Sequence, residues 1–459
     1  MTVTKTKLLS GIALAALLVT GAARAETING ALARAYTSSP DLNAQRASLR
    51  ATDEQVPRAK SGYLPRVSAS SSLGKANSNF YSGSVGGSTS DYNITPRSIG
   101  VTVSQNLYNG DRTGTQVEGA EKSVLASRAG LRAAEQQVLL SGATQYMNVV
   151  RDQAVVKLRM ANIDVLKEQL RQTQDRFNVG EVTRTDVAQV EAQLAAADAD
   201  LSNAEANLES SKASYQQVIG VAPAELVEAE PVSKRFPATV GDAFKTADSE
   251  HPQLQASRIN VEIAEAQVRL VMGEFKPSVD LQGSATKSWD QRYPEDSGHD
   301  FRLTGQLSMP LYEAGEISAR ARAAKETLGQ KQLESDSVRE QVRAGVAAAW
   351  SQFETATARV KSAKAQIDAA TIALNGVREE AKVGQRTTLD VLISDQSLLS
   401  ARVNLVTAQR DRVVSSYQVL SSVGRLSSNG LALSVKAYDP TLHYEATKKR
   451  VTGTDTAAP

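Results

Sequence analysis

The chain has 459 residues, of which 41% are hydrophobic and 22% are charged. That composition excludes wholesale disorder, and the length suffices for two or three ordinary domains. Lys and Arg (52) nearly balance Asp and Glu (50), so the formal charge is +2 and a nucleic-acid partner is not expected. With no cysteine and three histidines, the sequence offers no disulfide framework, thiolate metal site or thiol nucleophile. We therefore expect no enzyme, no metal site and no cofactor.

The first 25 residues have the pattern of an export signal. Two lysines precede an apolar run over residues 8–19, and Ala23 and Ala25 place small residues where a signal peptidase recognises them. The run is too short for a stable membrane helix, which needs about 20 apolar residues. We predict cleavage before Glu26 and an exported, nearly neutral mature protein.

The rest of the chain contains one internal duplication. The motif Val-Gly-x-x-Thr-x-x-Asp-Val starts at Val179 and recurs 204 residues later at Val383, and matches nearer the start of each half have an offset of 212. The difference of eight residues predicts a longer loop in the first half, between residues 67 and 107. A period near 200 residues is too long for a solenoid, so we expect two similar halves that stack side by side. They are residues 26–238 and 239–424.

Each half has the same predicted order of elements, beginning with a helical stretch over residues 28–61 or 240–273. Two extended runs follow, then a very long helix, a Val-Gly step and a second long helix. Proline is absent from residues 97–222 and 311–439, which are rich in good helix formers and carry apolar residues at heptad spacing. The helix over about residues 113–175 would extend on the order of 95 Å, longer than any globular core. A simple rod remains the alternative.

The extended runs alternate apolar and polar residues with the period of two that is typical of a strand. Aromatic residues gather at the ends of these runs, as they do at the lipid–water boundary of membrane barrels. A soluble sheet with tyrosines at its rim is the alternative. The four runs begin at Val67, Val101, Val279 and Phe301.

Four strands have a physical consequence if they lie in a membrane. A barrel in lipid must close, because unpaired N–H and C=O groups in hydrocarbon cost several kcal/mol each. Four strands cannot close, so copies of the chain would have to share one barrel. Three copies would supply twelve strands, enough for an aqueous lumen.

Over residues 28–424 the sequence resembles the TolC family of outer-membrane channel-tunnels. The resemblance implies a mixed, mainly α-helical fold: duplicated long helical hairpins form a coiled-coil tunnel, and a homotrimer shares a 12-stranded transmembrane β-barrel to which each chain contributes four β-strands. Residues 425–459 would join an equatorial collar and become a disordered tail beyond Tyr438. The motifs that carry the resemblance are the duplication, the strand exits Leu107-Tyr108-Asn109-Gly110 and Leu311-Tyr312-Glu313-Ala314-Gly315, and the paired tips at residues 177–187 and 383–391.

The Val-Gly steps are the first candidate site. A glycine there permits a tight or left-handed backbone between two helices. The resemblance adds that a periplasmic membrane-fusion adaptor docks on these turns, which implies that Val179, Gly180, Val383 and Gly384 bind it.

The resemblance also implies a latch between the hairpins that keeps the tunnel shut. The matching residues are Arg386 opposite Thr185, with Asp186 alongside. A charge-assisted bond of this kind can hold a closed state and yield to a partner that prefers the open one. The family tyrosine that would face Asp186 corresponds to Ala381, so we expect a latch that is weaker or differently arranged.

Rings of aspartate from the second tip narrow the pore in this family, and Asp390 matches the first ring. Three copies of one carboxylate would concentrate negative potential and favour cations. The second ring position is Ile393, and Asp395 lies about 140° around the helix from Asp390. We therefore expect one acidic ring. The alternative for Asp390 is an acid that stabilises a helix N-terminus through the helix dipole.

Together with these observations, the resemblance implies a passive exit duct in the outer membrane of a Gram-negative bacterium, with its helical part in the periplasm. It would serve efflux or type I secretion together with an adaptor and an inner-membrane pump of the ABC or RND type. The alternative is a periplasmic adaptor or scaffolding coiled coil without a channel. Adaptors, however, normally carry one hairpin and are not duplicated. A diffusion porin fits poorly, because porins consist mostly of strands.

Overall fold

The computed structural model describes residues 26–82, 88–292 and 294–456, so the predicted export signal lies outside the described residues. The first half contains α1 (Ile28–Ser38), α2 (Pro40–Asp53), α3 (Gln55–Lys60), β1 (Arg66–Leu73), β2 (Ala76–Ser82), β3 (Ser88–Ile94), β4 (Arg97–Tyr108), α4 (Arg112–Asn178) and α5 (Arg184–Ile219). The second half contains α6 (Val240–Glu250), α7 (Pro252–Met272), β5 (Ser278–Trp289), β6 (Ser297–Ser308), α8 (Glu316–Lys382) and α9 (Thr388–Ser422), and α10 (Leu442–Thr447) follows. The predicted duplicated hairpins, α4–α5 and α8–α9, are confirmed.

The helical stretch at the start of each half is broken, which the sequence analysis did not predict. Ser39 and His251 have ψ values of 120° and 121°, outside the helical range. Both precede a proline, whose ring excludes the helical conformation from the residue before it. Pro40 and Pro252 then occupy the first turn of α2 and α7, where their missing N–H is not needed.

The two long helices set the length of the molecule. α4 and α8 have 67 residues each, which corresponds to about 100 Å, whereas α5 and α9 have 36 and 35. Shorter helices pack along the part of α4 and α8 that α5 and α9 do not reach: α2 and α3 pack on α4, and α7 packs on both α4 and α8. Within the described residues, no helix combines the length and apolar content needed to cross a membrane.

The four predicted strands form one antiparallel sheet in the order β1-β4-β5-β6. In its register Val67 faces Val103, Val103 faces Gly283, and Gly283 faces Leu303, so every second residue of each strand lies on one common face. The side chains of Phe301 and Leu303 on that face are 84% and 76% exposed. The opposite face carries mainly Ser, Thr and Gln. The predicted longer loop contains a separate hairpin, β2–β3.

The largest apolar core lies where α1, α4, α5, α9 and the C-terminal segment meet. Three tyrosines, Tyr146, Tyr215 and Tyr417, are fully buried there. The hydroxyl of Tyr146 lies 2.7 Å from the backbone oxygens of both Glu26 and Val227. This contact fixes the first described residue and the linker after α5 to the core.

The predicted disorder beyond Tyr438 is wrong for residues 442–447, which form α10. The backbone N–H of Tyr438 donates to the hydroxyl of Tyr36 at 2.9 Å. Nδ1 of His443 lies 3.0 Å from Oδ2 of Asp53, and both side chains are buried. Several contacts attach this segment, among them the docking of His443 on α2, and the charged sequence around it gave no periodic signal of them.

Acid is expected to tighten the attachment of α10. Burial raises the pKa of Asp53 above its ordinary 3.8, although the hydrogen bond and charge of His443 and the charge of Arg128 oppose this and only Glu54 adds to it. A raised pKa means that Asp53 binds a proton more tightly when α10 is docked than when it is detached. Docking therefore becomes more favourable as the pH falls from neutrality through the raised pKa, and less favourable as the pH rises again. Hydrogen-exchange protection of the amides of residues 443–447, corrected for intrinsic rates, measures this. Asp53→Asn should reduce this pH dependence, and a pH-independent wild type would contradict the expectation.

Candidate functional site: the paired helix tips

The two hairpins have tips with the same backbone structure. Gly180 and Gly384 have φ values of 80° and 78°, in the left-handed region that glycine adopts without strain. In the first tip the N–H of Gly180 donates to Phe177 O and the N–H of Glu181 to Arg176 O, both at 2.9 Å. This pair of bonds is the Schellman motif, and the second tip repeats it with Gly384. The predicted Val-Gly turns are therefore helix C-caps.

The valines before these glycines project into solvent. Val179 is 72% exposed and Val383 is 71% exposed, and a Cβ added to Gly180 or Gly384 would meet nothing within 4 Å. Each tip thus presents one bare apolar side chain beside an open glycine. The four residues predicted to bind an adaptor lie on two surfaces of this kind.

The second helix of each hairpin begins with a capping box, a role that the sequence analysis missed for its threonines. The Thr183 N–H donates to Asp186 Oδ2 at 2.8 Å, and the Asp186 N–H donates back to Thr183 Oγ1 at 3.3 Å. Thr387 and Asp390 repeat the arrangement at 3.0 and 3.2 Å. The signal was the repeated Thr-x-x-Asp, in which Asp replaces the more usual Glu or Gln.

The capping boxes keep both aspartates ionised. The side-chain and backbone hydrogen bonds that Thr183 donates lower the pKa of Asp186. The backbone and side-chain hydrogen bonds from Thr387 likewise lower the pKa of Asp390. Both carboxylates are therefore negative throughout the physiological pH range, and Asp390 combines the helix-capping role of the alternative interpretation with a fixed charge at the tip.

The predicted latch residues make contacts within their own tips. Arg386 Nε lies 2.8 Å from Glu380 Oε2, Asp186 is held in its capping box, and Thr185 is exposed. In the described part of this single chain, Arg386 is not brought together with Thr185 or Asp186. Ala381 packs against the apolar cluster inside the α8–α9 hairpin.

Asp395 is paired inside the second hairpin. Its carboxylate accepts from Arg378 Nη2 at 2.8 Å and its side chain is nearly buried. The charge of Asp395 is thus compensated within the hairpin, while the side chain of Ile393 is exposed. A single acidic ring at Asp390 stays a prediction.

The duplicated hairpins on a small antiparallel sheet define the class of outer-membrane channel-tunnels. Two stretches, residues 31–221 and 244–425, match the family described as "Outer membrane efflux protein". The chain is 36% identical over 444 residues to the outer membrane efflux protein BepC of Brucella suis, covering 96% of this chain and 95% of BepC. It is 23% identical over 422 residues to the outer membrane protein TolC of Escherichia coli, covering 89% and 84%. The CmeC outer membrane channel of Campylobacter jejuni superimposes with a TM-score of 0.76 at 17% identity, covering 92% and 89%.

The chain belongs to the outer membrane efflux protein family. It is an outer-membrane channel protein with a periplasmic helical part, as the sequence analysis predicted. The family is one of transport proteins.

Proposed function

We propose that three copies of the chain assemble into one continuous passive duct that has no enzymatic activity. Twelve strands would form the barrel across the outer membrane, and the hairpins would form the tunnel below it. The observation that carries this proposal is the open sheet with one exposed apolar face and one polar face. The apolar face suits lipid and the polar face suits a water-filled lumen.

The edges of the sheet favour closure by other copies. Within the described residues β1 pairs only with β4 and β6 only with β5, so each edge strand has one free side. In lipid the free N–H and C=O groups of both edges need partners. β6 of one copy and β1 of the next would satisfy each other and close the ring.

The duplication also favours a ring of three copies in the helical part of the protein. α7 packs against both α4 and α8, whereas its counterpart α2 packs against α4. If the halves of three copies alternate around one axis, α2 would pack against α8 of the neighbouring copy, in the way that α7 packs against α4 within one copy. Leu333 on α8, whose side chain is 72% exposed in the single chain, would then be covered at that seam.

The proposed duct works with two partners, a periplasmic membrane-fusion adaptor and an inner-membrane pump of the ABC or RND type that supplies the energy. Val179, Gly180, Val383 and Gly384 would dock the adaptor. Exposed apolar side chains beside left-handed glycines support this role, because they offer bare surface on a rigid turn.

The closed state of the proposed duct has two further parts. Arg386 would bind Thr185 and Asp186 across hairpins, leaving Glu380 when it does so, and Asp390 would line the constriction. The adaptor or scaffold alternative has no observation in its favour, because both halves match a family of outer-membrane efflux proteins.

The trimer and its conductance test the proposal directly. The mature protein purified in detergent should have the mass of three chains and should raise the conductance of a planar bilayer. A deletion strain should show altered drug susceptibility or altered secreted proteins, which distinguishes efflux from type I secretion. A folded monomer that never conducts would refute the duct.

A further inference from the structure

One leucine of the second hairpin is buried in the first. Leu392 on α9 is 5% exposed and belongs to an apolar cluster whose other buried members lie on α4 and α5. Those members are Ile163, Leu166, Val190 and Ala197. The side chain of Leu392 therefore completes the core of the neighbouring hairpin close to the tips.

A polar contact lies one turn along from this leucine. Gln193 Nε2 on α5 donates to Gln396 Oε1 on α9 at 3.3 Å. Beside it the cleft between α5 and α9 remains an open groove of about 400 Å³, lined in part by Leu389 and Ile393. Near the tips the hairpins thus meet at a local contact with an open groove beside it. Farther from the tips α9 packs against α4, where Arg410 Nε donates to Asn148 Oδ1 at 3.0 Å.

The contact is asymmetric with respect to the duplication. The residue that corresponds to Leu392 in the first half, 204 positions earlier, is Ala188, whose methyl group is too short for an equivalent insertion. A second leucine of α9, Leu398, packs with Leu374 and Val391 inside its own hairpin. Leu392 therefore packs against the other hairpin, whereas Val391 and Leu398 on the same helix pack inside their own.

We infer that Leu392, supported by the Gln193–Gln396 pair, is the apolar contact that holds the two hairpins of one chain together near their tips, and that opening the duct requires its withdrawal from the α4–α5 cluster. This inference rests on the proposed function. Arg386 and Asp186 are engaged within their own tips, so an apolar contact joins the hairpins here. Burial of a leucine is not screened by salt, unlike a latch made of charges.

Two leucine truncations on α9 form a matched pair. Leu392→Ala and Leu398→Ala remove the same atoms from the same helix, but only the first weakens the contact between hairpins. We expect Leu392→Ala to raise the ratio of open to closed channels in planar bilayers by about tenfold or more, and Leu398→Ala to leave it near the wild-type value. An equal rise in both variants, or none in Leu392→Ala, would overturn the inference. A wild-type trimer without conductance would instead overturn the proposed function.

A cross-link tests the same contact without touching Leu392. The chain has no cysteine, so Gln193→Cys with Gln396→Cys provides the only two thiols. Joining them with a short, reducible bifunctional thiol reagent should hold the channel in its low-conductance state, and reduction should reverse this. Each single-cysteine variant treated with the reagent is the control. A cross-linked protein that opens as readily as the reduced one would show that the hairpins need not separate here.

Discussion

The double variant Gly180→Val, Gly384→Val should abolish transport while leaving a correctly inserted trimer. Both glycines have φ near 80°, where a β-branched residue is strained by roughly 1–2 kcal/mol. A Cβ added at either glycine meets nothing within 4 Å, so the new side chains should project from the tips where the adaptor is proposed to dock. Complementation of a deletion strain measures transport, and trimer content in outer-membrane fractions reports assembly.

Asparagine at the same positions separates the two effects of valine. Asn tolerates the left-handed region far better than Val, so Gly180→Asn with Gly384→Asn keeps the turn and still adds bulk to the surface. If transport also fails in this variant, the bare surface is what matters. Transport by the asparagine variant alone would assign the glycines a backbone role, and normal transport by the valine variant would remove the docking role.

The parts of the fold with a repeating environment could be predicted from the sequence. The four strands in one sheet follow from the period of two, because one face of each strand is mainly apolar and the other is polar. The long hairpins follow from proline-free heptads. The breaks before Pro40 and Pro252 were missed because the helical pattern continues across both prolines. The sign of a second helix is the restriction that each proline places on the residue before it, which cannot be helical.

Contacts between distant segments could not be predicted in the same way. Leu392 fits the apolar pattern of α9 equally well whether it packs inside the α8–α9 hairpin or against the α4–α5 hairpin. Spacing alone therefore does not identify its partner. The attachment of His443 to Asp53 joins residues 390 positions apart and leaves no periodic pattern. At the tips, the capping of Asp390 by Thr387 was missed because Asp390 was interpreted first as a pore residue, and its acidic side chain fits a helix start equally well.

The charge of Asp390 should set the ion selectivity of the duct. Asp390→Asn removes the charge and keeps an oxygen that can accept from the Thr387 N–H, so the start of α9 is preserved better than with alanine. Asp186→Asn is the matched control, since Asp186 has the same capping geometry at the other tip. We expect cation selectivity, measured from reversal potentials in a salt gradient, to fall severalfold for Asp390→Asn only.

Titration of the wild type gives a second measurement of the same charge. Hydrogen bonds from Thr387 lower the pKa of Asp390 within one chain, whereas repulsion between the three carboxylates of the proposed ring raises it, so selectivity should persist at neutral pH and disappear only in acid, once the ring is protonated. The helix cap should weaken over the same range, because it too depends on the ionised carboxylate. Equal losses of selectivity in the two asparagine variants would place the selective charge elsewhere. An effect of Asp186→Asn on conductance alone would fit its proposed place in the latch.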